Sequence, residues 1–293
     1  MPLETGFENI VRRGELMAMH TWFQLGGQAE YFAEPETPDQ LIAILKRCHE
    51  EGVRVRVLGR GSNILVRDEG VKGMIVHLGA PAFCGIGFEG RSIIAGGGAL
   101  LGQAVTASAN RGLAGLETLI GIPGTVGGAM HGNAGTRTGG IGQWTIQATV
   151  VSATGDVYQR NADELAFGYR QSNLDELVVL EARCELEEDD PHELAKRMQK
   201  YWILKKASQP VGHQSAGCVF KNPRNSLSAG EMIDQAGLKG TRIGGAVVSD
   251  RHANFIVAEP ECTSEDVLRL IDLVRNQILE RLEVELELEL EVW

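Results

Sequence analysis

A chain of 293 residues, 43% hydrophobic and 23% charged, is long enough for two domains with a sizeable core. Its 28 Lys and Arg against 39 Asp and Glu leave a net charge of −11 with no basic block, which argues against bulk binding to nucleic acid or anionic membrane but leaves room for a local cationic pocket. No apolar run of about 18 residues predicts a membrane span, residues 1–13 lack an apolar signal core, and five cysteines without a CxxC predict a reduced, cytoplasmic protein with no disulfide framework and no metal site.

Thr37 as N-cap, Pro38 at the first helical position and Gln40 closing a capping box predict the first helix. Leu41, Ile42, Leu45 and Cys48 form its apolar stripe, and Gly52 is its stop. Alternation over residues 53–58 predicts a strand that runs straight into Gly59-Arg60-Gly61-Ser62-Asn63, with apolar residues 64–66 beyond. This layout differs from the dinucleotide fingerprint, in which the glycine loop opens a helix. Residues 92–95 predict a strand ending at Gly96-Gly97-Gly98, and residues 100–110 a helix stopped by Gly112. Residues 146–152 and 157–159 flank Thr154-Gly155-Asp156 as a hairpin. Residues 177–180, extending toward 186, predict another strand.

Four acidic residues at 187–190 lead into Pro191 and mark a domain boundary. Beyond it the pattern predicts helices over about 192–206 and 231–235, and strands at 247–248 and 254–257. A last helix opens on Thr263 and Asp266, with Val267, Leu270, Ile271, Val274, Ile278 and Leu282 as its stripe. Residues 282–292 alternate strictly, which predicts a half-buried strand with Glu283, Glu285, Glu287, Glu289 and Glu291 on one face.

Glycine contributes 37 residues, nearly twice the usual share of about 7%. The clusters at 59–61, 96–98, 121–128 and 132–142 suggest loops wrapped closely around a ligand, because glycine permits close backbone approach. Gly59-Arg60-Gly61-Ser62-Asn63 offers backbone N–H groups, a hydroxyl and a cation, the makings of a pyrophosphate cradle; the plain alternative is a tight turn. Arg170 carries a planar fork suited to carboxylate or phosphate, or is a surface arginine. Cys218 can trade a proton beside Gly217 and Lys221, or is a small buried hydrophobe.

The motifs, in order, are Gly59-Arg60-Gly61-Ser62-Asn63, Gly121-Ile122-Pro123-Gly124-Thr125-Val126-Gly127-Gly128-Ala129 with Asn133-Ala134-Gly135, Tyr169-Arg170-Gln171-Ser172, and Ser215-Ala216-Gly217-Cys218-Val219-Phe220-Lys221-Asn222-Pro223. Together they resemble the UDP-N-acetylenolpyruvoylglucosamine reductases, over roughly residue 21 to the C-terminus. The resemblance implies an α+β architecture: an FAD-binding fold of the vanillyl-alcohol-oxidase (PCMH-type) class in two lobes, plus a separate α+β substrate-binding domain. It places the FAD region at 1–190 (lobes about 1–78 and 79–190), the substrate domain at 191–280, and a returning strand at 281–293. It implies noncovalent FAD held by residues 59–63, 121–129 and 133–135, with NADPH as co-substrate and UDP-N-acetylglucosamine enolpyruvate as substrate. It gives Tyr169, Arg170, Lys221 and Asn222 to substrate binding. Arg170 stabilises developing carboxylate charge, Cys218 takes the place of the family's usual serine as proton donor, and Glu289 assists, with Glu291 and Glu287 as rivals because a shift of two residues keeps the same face. A monomer is expected. A flavin oxidase of the wider class and a non-catalytic flavin or nucleotide-sugar binder remain the alternatives.

Overall fold

The computed structural model describes residues 3–136, 139–174, 176–224 and 227–293. The hairpin about Thr154-Gly155-Asp156 forms as the edge of a five-stranded antiparallel sheet. Thr145–Val151 pairs with Val157–Asn161 on one side, from Gln147↔Asn161 to Val151↔Val157, and with Val178–Glu185 on the other. Val178–Glu185 pairs next with Ser92–Gly96, which pairs with Ile86–Glu89. The helices Leu101–Asn110 (α2, after α1 at Pro38–Glu50) and Val126–His131 (α3) bury Leu101, Val105, Val126 and Met130 with sheet residues Ile93, Ala148, Val150 and Val179.

A second sheet has four strands in the order Val11–Leu16, Gln28–Ala33, Val71–His77, Val55–Leu58. Its last two strands are parallel, with Val55 opposite Met74 and Leu58 opposite His77. The stripe of α1 packs Leu41, Ile44, Leu45 and Cys48 with Met74, Val76, Val151 and Val178. Thr37 caps α1 by accepting the Gln40 N–H at 3.3 Å. The expected capping box is shifted by one residue, because the Gln40 side chain accepts from the Glu36 N–H at 2.7 Å.

The glycine cluster at 96–98 corrects an expectation. Added Cβ atoms at Gly96, Gly97 and Gly98 would stand 2.2, 1.8 and 2.0 Å from the carbonyl oxygens of Phe83, Val179 and Leu78. These glycines let strands and turns of the protein's own backbone touch, so no ligand is needed to explain them.

Packing separates the chain into two units: Met1–Gly14, Glu30–Gly59 and Lys72–Ile203; and Glu15–Ala29, Arg60–Val71 and Leu204–Trp293. This division cuts the helix Pro191–Ser208 (α4) instead of falling at 190. Residues 15–29 and 60–71 join the C-terminal segment because Phe23 and Leu65 are buried in one core with Val219, Phe220 and Leu286.

In that second unit, Arg242–Ile243, Ala246–Val248 and Ile256–Ala258 form a small antiparallel sheet. Its core also takes Ala229, Met232 and Ile233 from Ala229–Gln235 (α5) and Val267, Leu270, Ile271, Val274 and Ile278 from Ser264–Leu282 (α6). The box at the start of α6 is complete: Thr263 Oγ1 accepts from Asp266 N, and Asp266 Oδ2 accepts from Thr263 N, each at 3.1 Å. Beyond α6 the alternation holds in burial from Val284 to Glu287, breaks at Glu289, which is half-buried like Leu288, and does not form a continuous strand. Leu286 and Leu290 are buried, yet among the described residues the pairing is the bridge Phe220↔Leu288 and the parallel pair Glu291–Val292 with Ile64–Leu65. The helix runs to Leu282 and Glu283 turns at φ 55, so the tail is extended only after the helix has used its first residue. No helix among the described residues is long and apolar enough to cross a membrane.

Candidate active site

In the first unit Gly59, which opens one predicted cofactor segment, adjoins the other predicted segment. A Cβ on Gly59 would lie 2.7 Å from Thr125 Oγ1, so the end of one segment is held against the other by the absence of a side chain. Thr125 caps α3 by accepting from Gly128 N at 3.3 Å. Val126 N donates to Ala99 O at 2.9 Å and Gly127 N to Gly97 O at 2.8 Å. The first-turn N–H groups are therefore committed to the fold, not held ready for an anion. What this segment presents outward is bare backbone: Gly128 is exposed, and a Cβ there would meet only Thr125 Oγ1, at 3.6 Å.

Asn133 and Arg170 lie in the same unit. Asn133 sits at φ 41 and is held by its own chain, with Oδ1 accepting from Gly142 N at 3.0 Å and Nδ2 donating to Gly168 O at 2.7 Å. Gly168 pairs with Gln171, so Tyr169 and Arg170 form the tip of a two-residue turn. Arg170 adopts φ 55, a region that costs a residue with a Cβ on the order of 1 kcal/mol and that glycine enters freely. Arg170 Nη1 donates to Gly135 O at 3.0 Å, and its guanidinium carbon lies 5.6 Å from the centre of the Tyr169 ring. Ser172 Oγ, to which the sequence assigned no role, ties the base of this turn to His131 O at 3.0 Å.

The second unit gathers Asn63, Cys218 and Glu289. Gly61 must be glycine: its φ is +61 and a Cβ would lie 2.0 Å from His20 O. Asn63 Nδ2 donates to Glu289 O at 2.9 Å, and Asn63 O accepts from Glu291 N at 3.0 Å. From the other side Glu289 N donates to Val219 O at 2.8 Å, which places Glu289 beside the residue that follows Cys218. Of the five tail glutamates Glu289 alone is half-buried; the other four are exposed. Glu287 pairs with Lys221 Nζ, and Glu291 accepts from Trp293 Nε1 at 3.2 Å. Asn222 Oδ1 accepts from Ala229 N at 3.0 Å, at the start of α5. Cys218 is half-buried, whereas burial pushes the thiols of Cys48, Cys184 and Cys262 up to about 11.

These residues fit a flavin dinucleotide. In the first unit Gly128 offers open backbone, where a Cβ would meet only Thr125 Oγ1, and that is room for a cofactor to approach. Sequence reasoning missed Ser172 as a brace, Glu287 as the partner of Lys221, and Asn254, whose buried amide faces Phe220. The first two lay inside segments already singled out; nothing local marks Asn254.

Residues 209–293 match the family of the UDP-N-acetylenolpyruvoylglucosamine reductase C-terminal domain, and residues 29–160 match an FAD-binding domain family. The UDP-N-acetylenolpyruvoylglucosamine reductase of Heliobacterium modesticaldum is 40% identical over 280 residues, covering 95% of this chain and 89% of its own length. That of Moorella thermoacetica is 37% identical over 292 residues, covering 99% of this chain and 96% of its own. The crystal structure of UDP-N-acetylenolpyruvylglucosamine reductase (MurB) from Thermus caldophilus, 38% identical, matches with a TM-score of 0.82 and covers 97% of this chain and 98% of that one. The α+β FAD-binding fold of the vanillyl-alcohol-oxidase class is thereby borne out. The chain belongs to the UDP-N-acetylenolpyruvoylglucosamine reductase family and is an FAD-dependent oxidoreductase.

Proposed function

We propose that this protein reduces UDP-N-acetylglucosamine enolpyruvate to UDP-N-acetylmuramate with electrons from NADPH, a step in supplying peptidoglycan precursor in the cytoplasm, and that it works as a monomer. When bound, FAD would supply two-electron hydride chemistry linking NADPH to the vinyl group of the substrate. Residues 59–63, 121–129 and 133–135 hold that cofactor, residues 191–280 the substrate, and residues 281–293 bring Glu289 to the reacting group. Tyr169, Lys221 and Asn222 orient the nucleotide-sugar.

Hydride arriving at the vinyl terminus drives electron density onto the substrate carboxylate, giving an enolate-like dianion. The Arg170 guanidinium is oriented in advance for that charge; a preorganised donor of this kind is commonly worth about 3–4 kcal/mol. The α-carbon then takes a proton from Cys218, whose thiol, with a reference pKa near ~8.5, is a better donor than serine. Glu289 polarises the acceptor carboxylate or places that proton. The observation that carries this reading is the placement of Glu289: half-buried, bonded through its backbone to Val219, and so next to Cys218.

The test is a pair of rapid-mixing experiments on yellow, FAD-loaded protein. Cys218→Ala should allow flavin reduction by NADPH at the native rate, but reoxidation by the enolpyruvyl substrate should slow by two orders of magnitude or more. Native reoxidation in this variant refutes the acid assignment. Rapid oxygen consumption by the reduced protein without substrate would favour a flavin oxidase.

A further inference from the structure

Asn254 lies 2% exposed, and its side chain behaves as a missing strand neighbour of Phe220. Its Oδ1 accepts from Phe220 N at 2.9 Å and its Nδ2 donates to Phe220 O at 2.8 Å. The Asn254 backbone carbonyl accepts from Val219 N at 2.9 Å. One residue thus takes both N–H groups directly after Cys218 and the carbonyl of the second. Opposite it, Val219 O accepts from Glu289 N at 2.8 Å, and Lys221 N donates to Glu287 O at 2.8 Å. The segment leaving Cys218 is clamped between Asn254 and the tail that carries Glu289.

The clamp has its own anchor. Asn254 N donates to His252 Nδ1 at 3.3 Å, and the His252 ring packs edge-on against Phe255 with centroids 4.8 Å apart. Val219 and Phe220 are each 2% exposed, so water cannot replace the amide if it is lost. A backbone fixed on both edges at residues 219–221 anchors the Cys218 thiol from its C-terminal side, next to Gly217 at φ +77.

We propose that Asn254 is a positioning residue, fixing where the Cys218 thiol stands relative to Glu289. The inference rests on the reading of Cys218 as the proton donor. It acts through the backbone, so its signature is a change in the behaviour of one thiol and one half-reaction in a protein that remains folded.

The experiment compares Asn254→Ala and Asn254→Asp with native protein, their folding checked by circular dichroism. Asn254→Ala orphans both Phe220 backbone groups; Asn254→Asp keeps the size and the acceptor for Phe220 N and replaces the donor to Phe220 O with a carboxyl oxygen, which repels that carbonyl when ionised. The reading independent of cofactor is alkylation by iodoacetamide, followed at each cysteine by peptide mass spectrometry with Cys84 as internal reference. Cys218 should change its rate by threefold or more while Cys84 does not. In the FAD-loaded variants, flavin reduction by NADPH should stay within twofold of native and reoxidation by the enolpyruvyl substrate should slow at least tenfold. A folded variant in which Cys218 alkylation stays within twofold of native overturns the proposal. A changed alkylation rate alongside native reoxidation in Cys218→Ala instead removes the acid assignment and leaves the clamp standing.

Discussion

Gly96-Gly97-Gly98 and Gly128 both lie in glycine-rich stretches of the first unit and differ in use. Gly96-Gly97-Gly98 is closed: each would thrust a Cβ to within 2.2 Å of a carbonyl oxygen of the protein itself. Gly128, in the second stretch, is open: its N–H is spent on Thr125, but its Cα faces outward with nothing but one hydroxyl near. A glycine tells that something comes close; only its neighbours tell whether that something is already part of the chain. Interior packing leaves no slack for a methyl group at the first kind of site, whereas the second tolerates one structurally and loses only what binds there.

The largest effect tests the closed kind. Gly97→Ala places a Cβ 1.8 Å from Val179 O, between strands that cannot part without breaking the Gly97 N to Leu180 O bond of 2.7 Å. No soluble folded protein is expected, read by circular dichroism and size-exclusion chromatography. A folded Gly97→Ala protein with native melting would erase the distinction between the two stretches.

Arg170 extends the comparison to a side chain. Its φ of 55 suits glycine better than arginine, so nothing in the backbone conformation calls for arginine at that position. Arg170→Gly should unfold at or somewhat below the native temperature, because the roughly 1 kcal/mol of relieved backbone strain is offset by the lost bond to Gly135 O and by the greater freedom of glycine in the unfolded chain. Its flavin should be reduced normally by NADPH and reoxidised 10²–10³-fold more slowly, the usual loss on removing one preorganised donor. Equal slowing of both half-reactions would move Arg170 out of the role proposed for it.

How much of this was legible in sequence follows from how local each cause is. The caps at Thr37 and Thr263 and the turn at 154–156 could be read directly, because cap and turn chemistry is settled within four residues. The five tail glutamates could not be told apart, because a period of two makes them equivalent. What sets Glu289 and Glu287 apart comes from distant partners: Lys221 for Glu287, and for Glu289 the backbone grip of Asn63 and Val219. Asn254 was invisible for the same reason, since its partner stands 34 positions away. Packing of residues 15–29 and 60–71 with the C-terminal segment also depends on non-local burial, of Phe23 and Leu65.

Cysteines repeat the closed and open pattern, with a pH signature. Burial lifts the Cys184 thiol from 9.0 to about 11, against a weaker opposing hydrogen bond from Thr145. The folded protein therefore keeps this proton to higher pH than the unfolded chain does. Its contribution is fully present below about pH 8.5 and is lost as pH rises toward 11, by about 2–3 kcal/mol in all. Urea unfolding from pH 7 to 10.5 should show native protein losing stability faster than Cys184→Ala over the upper part of that range. Parallel pH profiles for the two proteins would mean that Cys184 does not ionise on unfolding.

The smallest effect is the most discriminating. Gly128 occupies the first turn of α3, where replacing glycine by alanine ordinarily stabilises a helix by up to about 1 kcal/mol. The added Cβ meets only Thr125 Oγ1, at 3.6 Å, an ordinary contact. Gly128→Ala should melt at or slightly above the native temperature without FAD, and yet bind FAD several-fold more weakly, because the methyl group occupies the space that the bare backbone leaves outside. The two readings move in opposite directions only if the glycine is there for a ligand. Apoprotein melting together with flavin fluorescence titration measures both in one preparation, and unchanged affinity would make this glycine, like Gly97, a matter of the chain alone.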